Sequence, residues 1–270
     1  MHRRHKTPNL GVKREDQMTR KTDVDKPDLT NPTNPPADEA RQPAVAKPVI
    51  DAFLSAAAKV SPVTASGEAR GRLVFALDAT MSRQPTWDLA CKVQAGMFET
   101  ASKVGGLAVQ LIYFRGYNEC RASRWVMEPR ALTDVMTKIS CQGGHTQIGR
   151  VLRHVRNGAD QGRINAFVFV GDAMEESVDD LCAVAGELGL LGIKGFIFQE
   201  GRDPDAAVAF REIARLTGGA YERFDASAPG ALEGLLRAAA AYASGGVGAL
   251  ESLATGDTQA RRLLTAMGRK

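Results

Sequence analysis

The sequence predicts an α/β protein, with a doubly wound, mostly parallel central sheet and helices on both faces. Two observations carry this prediction. Several short runs, Leu73-Val74-Phe75-Ala76-Leu77 and Ala166-Phe167-Val168-Phe169-Val170 among them, are apolar at every position, which marks strands buried on both faces. Segments of helical period separate those runs, and strands alternating with helices build a parallel sheet covered on each side.

The elements follow in order. Leu73 to Leu77 is the first strand, and Thr86 to Val104 is a helix with Trp87, Ala90, Cys91, Val93 and Met97 near helical spacing. Leu107 to Phe114 and Cys120 to Met127 are the second and third strands. Leu132 to Ile139 is a short helix, and Ile148 to Val155 opens another after a glycine-containing loop. Ala166 to Val170, Val178 to Leu190 and Ile193 to Phe198 read as strand, helix and strand. Ala206 to Leu216 is a helix that Gly218-Gly219 ends, Ala220 to Phe224 a last short strand, and Pro229 to Tyr242 an alanine-rich helix. These elements fill one domain over residues 70–243.

The flanks differ in composition. Residues 1–48 are rich in Lys, Arg, Asp, Pro, Asn and Thr, and such a segment buries too little apolar area to offset its ordering entropy, so it is read as a disordered polar tail. Residues 49–69 form a helical lead-in, Val49 to Ala58, and a linker. Residues 244–270 are read as a C-terminal tail carrying a candidate docking helix over Leu250 to Met267, interrupted at Thr255-Gly256-Asp257.

Composition narrows the function classes only in part. Hydrophobic residues are 44% and charged residues 24%, ordinary for a globular protein, so neither an enzyme nor a binding module is excluded. The net charge of +4 comes from 35 basic residues interspersed with 31 acidic ones, too balanced for a nucleic-acid partner. Met1-His2-Arg3-Arg4-His5-Lys6 is positive, but no apolar run follows it as in an export signal, and no segment reaches the roughly 20 apolar residues of a membrane span. The expectation is a cytoplasmic protein, bacterial in type, without a membrane partner. Cys91, Cys120, Cys141 and Cys182 contain no CxxC pair and read as free thiols of a reducing compartment.

Oxygen-bearing side chains gather at the predicted strand ends. Asp78-Ala79-Thr80-Met81-Ser82 follows the first strand and offers one carboxylate and two hydroxyls. Gly143-Gly144-His145-Thr146 is a loop ahead of a helix and places the Thr146 hydroxyl near the helix start. Gly171-Asp172 brings a second carboxylate to the end of another strand. Ligands of open α/β sheets bind at the carboxyl ends of the strands, and hard divalent cations prefer such oxygens. Asp78, Thr80, Ser82, Thr146 and Asp172 are therefore the candidate metal ligands. Arg83 and Gln84 are read as lining a partner surface or an exposed turn, His145 as touching a ligand's carboxylate or as a solvated loop histidine, and Glu175 and Glu176 as tuning the site's field or as exposed helix-entry carboxylates.

With these residues in order, residues 70–242 resemble a von Willebrand factor type A domain carrying a metal-ion-dependent adhesion site. The family's site reads Asp-x-Ser-x-Ser, then a distant Thr in a glycine-rich loop, then an Asp after a hydrophobic strand. Asp78-Ala79-Thr80-Met81-Ser82, Thr146 and Asp172 match in that order, with Thr80 where the family usually has Ser. The resemblance implies that Ser82, Thr80 and in some members Thr146 meet Mg2+ (or Mn2+) directly, and that Asp78 and Asp172 act through bound water. It implies that a protein partner's acidic side chain completes the shell, the partner being of the chaperone or AAA+ ATPase kind. It also implies that the protein is no enzyme.

Two other readings stand beside it. A haloacid-dehalogenase-like phosphatase also places an Asp at the end of its first strand, but needs a second carboxylate two residues on as general acid, where this chain has Thr80. A metal-free scaffold domain is the other. Nucleotide binding is set aside, because neither Gly-x-Gly-x-x-Gly nor Gly-x-x-x-x-Gly-Lys-Ser/Thr follows a predicted strand.

Overall fold

The computed structural model describes residues 71–225 and 227–268. The expected N-terminal tail and the lead-in over residues 49–69 lie outside the described residues. Within them, six strands form one sheet: β1 (Gly71–Asp78), β2 (Leu107–Arg115), β3 (Glu119–Ala122), β4 (Ala166–Gly171), β5 (Lys194–Glu200) and β6 (Ala220–Phe224). Their spatial order is β3-β2-β1-β4-β5-β6, parallel throughout except for the antiparallel edge strand β3. The order reverses between β1 and β4, so the sheet is doubly wound and its switch point lies where those two strands end.

The all-apolar strands are buried on both faces, as expected. Along β1, Leu73, Phe75 and Leu77 enter one core layer, while Val74 and Ala76 enter the other. The first layer is covered by α1 (Gln84–Val93), α2 (Ala95–Ser102), α3 (Pro129–Met136), α7 (Pro229–Ala254) and α8 (Thr258–Ala266). The second is covered by α4 (Ile148–Gly158), α5 (Val178–Leu190) and α6 (Pro204–Thr217). Each large apolar side chain fully buried in these layers contributes about 1.5–3 kcal/mol.

Three elements differ from the expected pattern. The helix expected over Thr86 to Val104 is two helices joined at Gln94, whose buried amide donates to Thr133 Oγ1 at 2.6 Å and to the Pro129 carbonyl at 3.2 Å. The bend brings the amide nitrogen to these two acceptors, while its Oε1 stays buried without a partner. The third strand covers only Glu119–Ala122, where Arg115, Glu119 and Arg121 pair along the edge and blunt it. The last expected helix continues to Ala254 through a break at Gly245 and Gly246, the latter with φ at +67°.

Beyond that break the chain packs on the same domain. Leu250, Ala254, Ala260 and Leu263 join the first core layer, Asp257 caps α8 by accepting from Gln259 N and Ala260 N, and Arg262 Nη2 meets Glu222 Oε2 at 2.5 Å. Among the described residues the four cysteines are free, and no helix is long and apolar enough to cross a membrane.

Candidate functional site

Asp78 is the last residue of β1, flanked by β2 on one side and the end of β4 on the other, and only 3% of it is exposed. Its Oδ1 accepts a hydrogen bond from Thr80 N at 2.7 Å, so the carboxylate itself folds the chain back as it leaves the sheet. Ala79 N donates to the Phe114 carbonyl at the end of β2, and Ala79 O accepts from Gln142 N. A short helical turn over Met81–Arg83 follows, closed by Arg83 N donating to Thr80 O at 3.0 Å. This turn sets Thr80 Oγ1 3.4 Å from Ser82 Oγ, and Ser82 donates to Asp172 Oδ2 at 3.4 Å. Four of the five expected residues, Asp78, Thr80, Ser82 and Asp172, thus form one run of oxygens across the β1 and β4 ends.

Thr146 sits one step further along the same edge. Its loop lies directly against the turn after β2: a Cβ on Gly144 would come within 2.0 Å of the Gly116 carbonyl oxygen, and His145 N donates to that oxygen at 3.1 Å. The half-exchange that fixes Thr146 is with Glu175, since Glu175 N donates to Thr146 Oγ1 and Glu175 Oε2 accepts from Thr146 N, both at 3.2 Å. The Thr146 contacts therefore run to the loop after Asp172 rather than to Asp78, Thr80 or Ser82. His145 Nδ1 lies 3.0 Å from Glu175 Oε2, and its ring meets Tyr117 edge-on.

Glu175 and Glu176 are thereby placed as structural carboxylates. Glu176 accepts from Ile148 N at 2.5 Å and from Gly149 N at 2.9 Å, which satisfies the free amides at the start of α4 and complements the helix dipole. Burial nevertheless pushes its carboxyl above the usual glutamate value.

Arg83 corrects the expectation of a partner-facing or exposed side chain. It is buried, because the turn over residues 81–83 rotates it inward toward two acids. Its Nη1 pairs with Glu200 Oε2 at the end of β5 and lies 3.6 Å from Asp172 Oδ2, while Thr86 also donates to Glu200. Gln84 instead donates to Asp88 one turn along α1.

Electrostatically, the site is short of positive charge. Burial pushes the Asp78 carboxyl up to about 6, helped by the neighbouring Asp172 charge and opposed by the Thr80 hydrogen bonds and by Arg83. The donor set fits an oxygen-preferring divalent cation: two hydroxyls and two carboxylates, one of which, Asp78, is buried and in its charged form lacks a full counter-charge. Adjacent ligands of an octahedral Mg2+ at about 2.0–2.1 Å stand about 3 Å apart, so the hydroxyl pair at 3.4 Å needs only a small side-chain rotation to meet that spacing. Among the described residues there is no group of three or more His, Cys, Asp and Glu side chains able to hold an ion by themselves. Any ion here depends on Thr80 and Ser82.

Comparison with known proteins adds the architecture. No family model matches the sequence, and no curated protein is similar to it in sequence. Among solved structures, the chain is similar to a von Willebrand factor type A protein from Catenulispora acidiphila, with 15% identity and a TM-score of 0.54 over 65% of this chain and 43% of that one. The fold is that of a von Willebrand factor type A domain. Proximal thread matrix protein 1 from the mussel byssus is similar too, with 15% identity and a TM-score of 0.51 over 64% of this chain and 48% of that one. This chain thus spans less than half the length of either protein, and at such identities the likeness concerns the fold alone.

Within this von Willebrand factor type A fold, one residue that sequence reasoning missed, Glu200, carried a signal. Glu200 ends the apolar strand Gly195-Phe196-Ile197-Phe198-Gln199 just as Asp78 and Asp172 follow theirs. An acid closing a mostly apolar strand was the available cue. The inward course of Arg83 had no such cue, because its partners, Asp172 after β4 and Glu200 at the end of β5, are far along the chain and meet it only in the folded sheet.

Proposed function

We propose that this protein is a divalent-metal-dependent protein-interaction module, in which a Mg2+ or Mn2+ ion at the strand ends takes up an acidic side chain of a partner protein. The observation that carries the reading is the run of oxygens from Asp78 through Thr80 and Ser82 to Asp172 at the switch point of the sheet. Thr80 and Ser82 would hold the ion through their hydroxyls, with Asp78 and Asp172 behind them through water. The bound ion would supply an open position for an external carboxylate.

The chain's own residues supply the rest. Asp78 fixes the loop through Thr80 N, Ser82 orients Asp172, and the exchange between Glu175 and Thr146 holds the second loop at the same edge. Exposed Met81 and Tyr117 offer apolar surface on the two loops around the site. Thr80, standing where a hydrolase would need its acid, supports binding rather than catalysis. A chaperone or AAA+ ATPase is the proposed kind of partner, and a bacterial cytoplasm the proposed setting.

An ion that binds only the folded state stabilises it by about 2.7 kcal/mol at a hundred times its dissociation constant. Thermal melts of the wild type and Asp78→Ala, each with and without millimolar Mg2+ or Mn2+, test the reading. The wild-type midpoint is expected to rise and that of the variant to stay; if neither ion raises the wild-type midpoint more than the variant's, the proposal fails. Turnover of phosphate esters that disappears in Asp78→Asn would support a phosphatase instead.

A further inference from the structure

Among the described residues, Asp78 and Arg83 are the two charged side chains in the buried class, and they flank the same pair of hydroxyls. Arg83 is 3% exposed, yet its guanidinium is satisfied on one side only. Nη1 faces Glu200 and Asp172, whereas Nε and Nη2 are buried with no hydrogen-bond partner. An arginine chosen for structure alone is expected in a two-pronged pairing that uses its fork of donors. This one gives up two buried donors and keeps its charge against the acids.

Asp172 Oδ2 is the point of conflict. The same oxygen accepts from Ser82 at 3.4 Å and lies 3.6 Å from Arg83 Nη1. An ion drawing on Ser82 and Asp172 would therefore share an anion with a fixed positive charge on the adjoining residue. Like charges that cannot move apart oppose each other most where water is excluded.

We propose that Arg83 is a tethered competitor of the divalent ion, an inference that rests on the metal-dependent reading above. Without the ion, Arg83 neutralises Asp172 and Glu200. The ion binds by drawing Asp172 away, leaving Arg83 to Glu200, its nearer partner. Arg83 thereby sets the affinity of the site low, so that occupancy follows the ambient concentration of the ion.

The test is calorimetric titration of MgCl2 and of MnCl2 into the full chain, with circular dichroism to establish folding. Arg83→Gln is expected to bind both ions at least tenfold more tightly than the wild type, a difference of 1.4 kcal/mol. Because that change leaves Glu200 without its cationic partner, Arg83→Met combined with Glu200→Gln serves as the second variant. It removes both partners of a partly buried pair together, a substitution that folded proteins often tolerate, and leaves the net charge unaltered. Tighter binding by the double variant supports competition and cannot be credited to a more negative protein.

A folded variant that binds no more tightly than the wild type overturns the role of Arg83 while leaving the metal site standing. Absence of binding in the wild type and both variants overturns the metal reading and this inference with it. Loss of fold in both variants makes Arg83 a structural ion pair and also overturns the competitor role.

Discussion

Asp78→Asn should stabilise the protein in the absence of metal. In the folded chain the carboxyl is held at about 6 instead of the ordinary 3.8, with burial as the main cause. A group raised in this way binds its proton more tightly in the folded than in the unfolded chain. Its contribution to stability is therefore complete below about pH 4 and is lost as the pH rises to about 6, after which the cost is constant. At neutral pH that cost is about 3 kcal/mol, and with the residue only 3% exposed there is little solvent screening to reduce it. Asparagine keeps the Oδ1 acceptor for Thr80 N and carries no charge. For a domain of this size, about 3 kcal/mol corresponds to roughly 6–12 °C in midpoint. The assay is differential scanning calorimetry in a chelating buffer at pH 8 and pH 5. The variant should melt higher at pH 8, and its advantage should shrink to about half at pH 5, where the wild-type carboxyl is mostly protonated. Addition of Mg2+ should raise the wild type and leave the variant unchanged. A variant that melts at or below the wild type at pH 8, or a difference independent of pH, refutes the argument.

Other perturbations separate the site from its scaffold. Ser82→Ala removes an exposed hydroxyl, so the metal-free stability should change by no more than about 0.5 kcal/mol while the response to Mg2+ disappears, as melts with and without the ion would record. Glu176→Ala uncovers Ile148 N and Gly149 N at the start of α4 and should cost about 1–2 kcal/mol in urea unfolding. Gly144→Ala forces a methyl to within 2.0 Å of the Gly116 carbonyl. It should lose more than about 2 kcal/mol in the same assay and weaken Mg2+ binding by displacing the Thr146 loop, measured by titration calorimetry.

The legibility of this chain followed the range of the forces involved. Strands β4 and β6 and helix α5 were readable because periodicity and flanking turn residues are local, and the all-apolar run of β4 placed that strand inside the sheet. The bend at Gln94 was not, since it accompanies a contact of the amide nitrogen with Thr133, thirty-nine residues along. The site divided in the same way. Asp78, Thr80 and Ser82 are joined by a turn of five residues and could be read together. Thr146 could be placed at the right edge but not given its partner, because Glu175 reaches it only once β1 and β4 lie side by side.

The same logic explains why three acids meet at one edge. β1, β4 and β5 are neighbours in the sheet, all parallel, and each ends in or just before a carboxylate: Asp78, Asp172 and Glu200. Parallel strands in register bring their ends together, so a feature that is ordinary in each strand becomes a concentrated negative field in the sheet. Such a field is stable only with a counter-charge. Arg83 supplies one, but it reaches Asp172 and Glu200 more closely than Asp78, whose carboxyl still stands near 6. The uncompensated part of the field thus lies beside Thr80 and Ser82, the two hydroxyls able to face a second cation. An arrangement built for stability alone would have replaced Asp78 with a neutral residue, which is what makes the outcome of Asp78→Asn informative about function as well as about folding.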